Sequence, residues 1–405
     1  MTGPLHGLRV FDLTRILAGP TCTQILGDLG ADVIKIERRE SGDDTRGFGP
    51  PFLKDGAGKE TTESAYFLSA NRNKRSMTLD LTKAEGQELA RRLIAHCDVV
   101  TENFKVGNLA KYGLSYAQLK TDFPRLVYCS ITGFGQTGPY AARPGYDVLI
   151  QGMGGFMGVT GASDGKPQKA GVPVADLMAG MYAAVAIIAA LRHREVTGEG
   201  QYIDLGILDT QVATLTIQGL NYLASGEVPR RLGNAHPNIV PYQVFAAADG
   251  DFILAVGNDA QFQRFCEFAG VPELAAEEKF RTNDARVRNR DELTGRLEPI
   301  LARHPSRYWL EGLEPLNVSC GPINTIDQVF ADPQVRHREM EIEMRHPLAE
   351  ELPVRLIASP IRMSATPPSY RRPPPTLGQH TDEVLEGLLG MGGDELAALR
   401  GRGVI

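Results

Sequence analysis

Apolar and polar residues follow two rhythms along the first half of the chain. Apolar runs of strand length occur at Leu8–Leu13, Val33–Glu37, Met77–Leu81, Asp98–Glu102, Leu126–Ile131 and Tyr202–Leu205. Between several of them the spacing changes to that of a helix, as over Leu81–His96, where Thr82 is placed to cap the first turn ahead of Glu85. Strands alternating with helices, the strands almost continuously apolar, predict an α/β fold whose parallel sheet is covered on both faces. Such sheets bind ligands beyond the carboxyl ends of their strands, so residues just after strands carry the most weight.

From about Leu223 the pattern changes. An alternating strand pair near Gln243–Ala247 and Phe252–Val256 precedes a charged helical stretch, Gln261–Arg303. Proline-punctuated segments and the stiff run Arg371–Pro375 then lead to an amphipathic helix around Thr381–Leu389 and a short one near Glu395–Arg400. The expected division is a large α/β domain at 1–222, a smaller α+β domain at 223–327, and a C-terminal segment, 328–405, returning to the large domain.

Composition narrows the function classes. The chain of 405 residues is long enough for roughly two or three domains of about 150 residues each. Its 43 Lys+Arg against 49 Asp+Glu give a net charge of −6, which argues against a general binder of nucleic acid or anionic membrane. The five cysteines (Cys22, Cys97, Cys129, Cys266, Cys320) include no CxxC, so neither a disulfide framework nor a cysteine zinc site is expected, and a cytoplasmic setting fits. No HxH, HxxxH or HExxH spacing supports a metal site. The apolar run Leu177–Leu191 falls short of the roughly 18 residues of a membrane span, and the first strand begins so soon after Met1 that no leader is expected.

Two familiar motifs lack the context their chemistry needs. Gly133-Phe-Gly135-Gln-Thr-Gly138 follows a strand, but Pro139 and Pro144 forbid the helix that would hold a pyrophosphate, so nicotinamide or flavin binding is not indicated. Gly161-Ala-Ser163-Asp-Gly165 matches a hydrolase nucleophile elbow, yet it continues into Lys166-Pro167 as a loop rather than a strand-to-helix turn.

Asp176 carries more information. It stands at the head of a strongly apolar helix after a glycine-rich stretch. By pattern it is a helix cap, the commonest role of such an aspartate. If the helix is buried, it is equally a carboxylate facing a closed site, able to attack an activated acyl group. Basic residues also cluster at strand boundaries: Arg38 and Arg39 after one strand, Arg46 in the loop beyond, and Asn71 to Arg75 before the next. They suit a solvated rim or a pocket for phosphate and diphosphate groups. Asn103-Phe104 adds an amide and an aromatic face suited to a purine or a pantetheine arm.

Several segments, in order, resemble the class III CoA transferases, the family named for carnitine dehydratase and the bile-acid-inducible protein. They are Leu5 to Thr14, Ala18-Gly-Pro20, Leu26 to Arg38, Asn73 to Ser76, Glu102-Asn-Phe104, Ser130 to Pro139, the Asp176 segment and Leu377 to Asp382. The resemblance implies a Rossmann-like large domain, a small domain, and a homodimer of subunits threaded as linked rings. It implies that Asp176 is the catalytic carboxylate, acylated through a mixed anhydride and then an aspartyl-CoA thioester. By position, Ile16, Leu17, Ala18, Arg38, Asn73, Lys74, Arg75, Asn103, Phe104 and Lys111 would hold CoA, with Thr132 and Phe134 over the thioester. Coenzyme A thioester is then a substrate; no permanent cofactor and no metal are implied.

Within that family, formyl-CoA:oxalate transferases carry a glycine run near the position of Gly233, and this chain has none. The related α-methylacyl-CoA racemases place a histidine where this chain has Tyr146, a poor base at neutral pH, so racemisation is the alternative activity. A CoA-binding module without turnover is a second alternative. Gly42 to Arg46, Gly49-Pro-Pro51 and His236 to Tyr242 look most like transferases that move CoA from succinyl-CoA to a dicarboxylic acid. The remote carboxylate of such an acceptor needs a cation, for which Arg46, Arg72, Arg143 and His236 are the candidates.

Overall fold

The computed structural model describes residues 3–405, apart from the side chains at 350 and 351. Residues 1 and 2 of the expected first domain lie outside the described residues. Six strands form one wholly parallel sheet: β1 (Arg9–Asp12), β2 (Asp32–Glu37), β3 (Lys74–Thr78), β4 (Val99–Glu102), β5 (Val127–Thr132) and β6 (Tyr202–Gly206). Their order across the sheet is β3-β2-β1-β4-β5-β6. Strand order therefore reverses between β1 and β4. At such a switch point the loops leaving adjacent strands diverge and open a crevice, the standard ligand position of a doubly wound sheet.

Each sheet face is covered as the apolar pattern predicts. On one side α1 (Ala18–Asp28) and a long helix, α4 (Val174–Thr197), pack over Val10, Val33, Val99 and Val127. On the other, α2 (Ala84–Ile94), α5 (Thr381–Leu389) and α6 (Gly393–Gly401) cover Phe11, Ile34, Met77 and Val100. Gly180 permits the close crossing of α4 over α1, since a Cβ there would meet the Ala18 carbonyl oxygen at 2.6 Å.

Three local expectations are corrected. The third strand is Lys74–Thr78 rather than Met77–Leu81, because Lys74 and Arg75 enter the sheet with their charges met by Asp12 and Asp32. Thr82 does not cap α2; its hydroxyl and N–H turn back to Asp80 Oδ1, and Lys83 takes the cap position. The apolar stretch at 177–191 is the middle of a 24-residue helix, long and apolar enough to cross a membrane by length and composition, with half of its apolar window buried.

The chain divides into two compact units. One comprises 1–154, 170–214 and 334–405; the other comprises 155–169 and 215–333. The second unit is built on an antiparallel sheet of β7 (Tyr242–Ala247), β8 (Gly250–Ala255) and β9 (Ser319–Pro322), ordered β9-β8-β7. Its own core includes Phe245, Phe252, Phe262, Phe265 and Trp309. Gly161 to Gly165 is loop, without the strand-to-helix turn of a nucleophile elbow.

Candidate active site

Residues that leave β1 and β4 line the crevice at the switch point. The β1 loop is held at three consecutive residues. Lys35 Nζ donates to the Thr14 carbonyl at 2.9 Å, the Asn103 amide brackets Arg15 through both its N–H and its C=O, and Asp43 Oδ1 accepts from Ile16 N–H at 3.2 Å. Ile16 needs this support, because its φ of 71° is strained for a β-branched residue. Beneath the loop, Asp12 accepts from Thr14 and Thr23 and faces Lys74 at 3.4 Å, while Asp43 pairs with Lys35 at 2.8 Å. Burial alone would raise Asp43, but Lys35 and the Thr45 N–H and hydroxyl hold it well below the usual carboxylate range. Burial likewise lowers Lys74, an effect only partly offset by Asp12.

Two clefts meet on this surface. The larger, about 530 Å³, lies beyond β1, β2 and β3 and is lined by Arg38, Arg39, Gly42, Leu81 and Tyr112 among others. Arg38 and Arg15 share Asp44 in half-exposed ion pairs, which are weak enough to be exchanged for a ligand's anionic groups. The smaller, about 200 Å³, is lined by Ile16, Leu17, Ala18, Asn103, Thr132, Arg143 and Asp176. Arg15 and Phe104 line both, so the two clefts adjoin at these side chains.

Asp176 lies in the first turn of α4 and is 9% exposed. It is not the cap expected of its position. That role falls to Asp147, at the start of α3 (Asp147–Met153), whose Oδ1 accepts from Ala175 N–H at 2.9 Å and more weakly from Asp176 N–H at 3.4 Å. Among the described residues no cation or hydrogen-bond donor pairs with the Asp176 carboxylate. Burial, with the charge of Asp147 added, pushes its pKa up to about 7. The loop between β5 and α3 is fixed by a backbone contact, for a Cβ on Gly133 would strike Gly145 Cα at 2.5 Å. No helix follows the 133–138 glycines before Asp147, as the prolines predict.

The structure separates the other residues singled out in the sequence. Arg46 is corrected: it is buried, and its guanidinium donates to Glu37, Glu63 and the Pro375 carbonyl, leaving it to neutralise the protein's own carboxylates. Arg72 is corrected on the same ground, being buried on Asp28 and the Ile357 carbonyl. His236 belongs to the second unit, where burial and Arg290 lower its pKa and favour the neutral ring. Asn73 bonds Asp28, Ser369 and Arg371, Arg75 pairs with Asp32 and Glu383, and Lys74 is sealed in the core, so none of the three reaches either cleft. Lys111 is exposed on a 3₁₀ turn beside Tyr112, and Phe134 packs edge-on to Tyr140. Arg143 stacks on Tyr140, its guanidinium carbon 4.0 Å from the ring centre, and among the described residues has no carboxylate partner.

Sequence reasoning missed Asp147, Asp43 and Lys35. The Gly145-Tyr146-Asp147 segment was informative only for what stands in place of a histidine, and nothing local shows that Asp147 caps a helix 27 residues later. Among the described residues no cluster of three or more His, Cys, Asp or Glu could hold a metal ion.

Comparison with known proteins identifies the family. The profile of CoA-transferase family III matches residues 5–381. The chain is 50% identical over 382 residues to a succinate–glutarate CoA-transferase of Agrobacterium fabrum, covering 94% of this chain and 95% of that one. It is 44% identical over 386 residues to a succinyl-CoA:glutarate CoA-transferase of Mus musculus, covering 95% and 86%. A crystal structure of a CAIB/BAIF family protein from Brucella suis superposes with a TM-score of 0.83 at 49% identity, covering 96% of this chain and all of that one. The family profile across residues 5–381 and relatives at 44% and 50% identity over most of the chain show that it belongs to CoA-transferase family III.

Proposed function

We propose that the protein transfers CoA from succinyl-CoA to a second dicarboxylic acid of glutarate size, with Asp176 as the group that becomes acylated. The observation that carries the reading is the state of Asp176: a carboxylate removed from water, matched to no cation among the described residues, lining a cleft that adjoins a larger one rich in arginine. The nucleotide end of CoA is assigned to the larger cleft with Arg38 at its rim, and the pantetheine arm to the passage past Phe104. Ile16, Leu17, Ala18 and Thr132 surround the thioester.

The chemistry conserves one acyl bond at every step. The Asp176 carboxylate attacks the donor thioester carbonyl, a mixed anhydride forms and CoA leaves as thiolate. The thiolate then attacks the aspartyl carbonyl, forming aspartyl-CoA and releasing succinate. The acceptor carboxylate attacks aspartyl-CoA in turn, and the expelled thiolate takes the acceptor's acyl group from the second anhydride and restores Asp176. A desolvated carboxylate of raised pKa is a stronger nucleophile once ionised, and a dry site protects the anhydride from hydrolysis. The remote carboxylate of the acceptor is assigned to Arg143, the guanidinium that stacks on Tyr140 and has no carboxylate partner among the described residues.

The large unit is taken as the CoA-binding domain and the other as a separate smaller domain, close to the expected 1–222, 223–327 and 328–405 division. A homodimer is part of the reading: Met181, Tyr182, Val185 and Ile188 on α4 are exposed apolar side chains that a second copy would cover. A cytoplasmic setting is supported by five cysteines that are all free thiols.

Incubating the protein with succinyl-CoA and a panel of mono- and dicarboxylic acids, then identifying new CoA esters by mass spectrometry, tests the reading. Glutarate and its near neighbours should accept CoA, with Arg143→Gln losing about 10-fold or more in kcat/KM for dicarboxylates but little for monocarboxylates. No new ester from any acid would refute it.

A further inference from the structure

We propose that Asp147 is a positioning residue for Asp176: by capping the first turn of α4 it removes the backbone donors that the Asp176 carboxylate would otherwise use, and it keeps that carboxylate unneutralised at the cleft. The inference rests on the transferase reading of Asp176 and adds a second acidic residue to it.

The geometry is a clamp built from α3. Asp147 Oδ1 takes the Ala175 and Asp176 N–H groups, and its Oδ2 accepts from Gln151 Nε2 at 2.7 Å. Gln151, fully buried one turn along α3, accepts at its own Oε1 from Ala170 N–H at 2.9 Å. Two side chains thus tie α3 to both ends of the segment 170–176 that delivers Asp176. A helix N-terminus with open N–H groups would attract the nearest carboxylate and lower its basicity. Here a neighbouring side chain occupies those groups, and its negative charge acts in the opposite direction on Asp176. Loss of the Asp147 charge therefore changes the nucleophile without touching the substrate.

Other charged or titratable groups face the same space. Arg15, Lys105, Arg143 and Tyr146 line the Asp176 cleft, and Tyr66, whose pKa is raised by burial first, also feels the charges of Asp176, Asp147 and Asp43. None of the cations is bonded to Asp176, and the cleft cations remain in place when Asp147 is changed.

Asp147→Asn keeps an oxygen for the Ala175 and Asp176 N–H groups but sets an amide donor against Gln151 Nε2. Asp147→Asn/Gln151→Glu restores an acceptor to face both that donor and Ala170 N–H, with the negative charge one helical turn away. Two measurements are needed on the full chain. In the first, Asp176 is labelled with a water-soluble carbodiimide across pH, which needs no turnover; half-labelling is expected near pH 7 in the wild type and about one unit lower in both variants. In the second, exchange from succinyl-CoA is followed across pH. Both variants should lose at least about 10-fold in kcat with KM for succinyl-CoA within about 3-fold, and the acid limb of kcat/KM should move down with the labelling curve. The double variant should recover the thermal stability that the single variant loses while keeping the shifted limb. Wild-type kcat and an unmoved labelling curve in a folded variant would make Asp147 a helix cap only. If the wild type itself exchanges no CoA, the transferase reading fails while the labelling experiment still decides the role of Asp147.

Discussion

Asp43, in the loop after β2, and Asp176, in the first turn of α4, are both almost sealed from water, at 1% and 9% exposure, beside adjoining clefts, yet the protein treats them in opposite ways. Asp43 has Lys35 at 2.8 Å and accepts from Thr45 and Ile16, and its pKa falls. Asp176 has a second carboxylate for a neighbour, accepts no hydrogen bond among the described residues, and its pKa rises to about 7. Burial pushes both upward, so the partners alone decide the direction. The difference teaches how to tell a carboxylate that builds a site from one that reacts in it. Asp43 is ionised, bonded and inert, and its work is to hold the strained Ile16 loop in shape. Asp176 is destabilised as an ion, and in the proposed reaction bonding to a carbonyl carbon relieves that.

The comparison can be broken most severely at Asp176 itself. Asp176→Asn should reduce CoA exchange by at least about 10⁴-fold, with affinity for the CoA thioester within about 3-fold, as measured by steady-state assay and calorimetry. Asp43→Asn should act on the fold instead: leaving Lys35 charged and unmatched in the core should cost about 3–5 kcal/mol in a denaturant titration. Comparable loss of stability in both variants would erase the distinction.

Glu102 sharpens it from between the two extremes. It is buried with no cation, but Phe104 N–H donates to it at 2.7 Å, and burial, opposed by the Ser130 hydroxyl and that N–H, leaves its pKa at about 7. A raised folded value favours the protonated form, so its stabilising contribution is complete below about pH 4.5 and is lost as pH rises through about 7. Glu102→Gln cannot ionise and should lose about 2–3 kcal/mol less stability than the wild type between pH 5 and pH 8. An identical pH profile would show that donors suffice where cations are absent.

The parallel sheet was legible because β1, β2, β4, β5 and β6 each send apolar residues to both faces, as strands between two helical layers must. β3 was displaced in the reading because Lys74, Arg75 and Ser76 look like loop residues until Asp12, Asp32 and Glu37 are brought beside them by other strands. The same limit explains the site. Asp176, Phe104 and the Ile16 loop stand just after strands or at a helix head, positions that periodicity marks. Arg46 and Arg72 looked like ligand cations, since a sequence shows a charge but not the buried Glu37, Glu63 and Asp28 that neutralise it. Asp147 was hidden for the converse reason: its partners at the head of α4 are backbone N–H groups, which every residue except proline carries.

The central claim is that the Asp176 carbonyl carbon becomes an acyl group during turnover. Incubation with succinyl-CoA and hydroxylamine, followed by peptide mapping, addresses it directly. A hydroxamate at Asp176 that requires succinyl-CoA is the predicted result, whereas active protein with an unmodified Asp176 peptide would contradict the account.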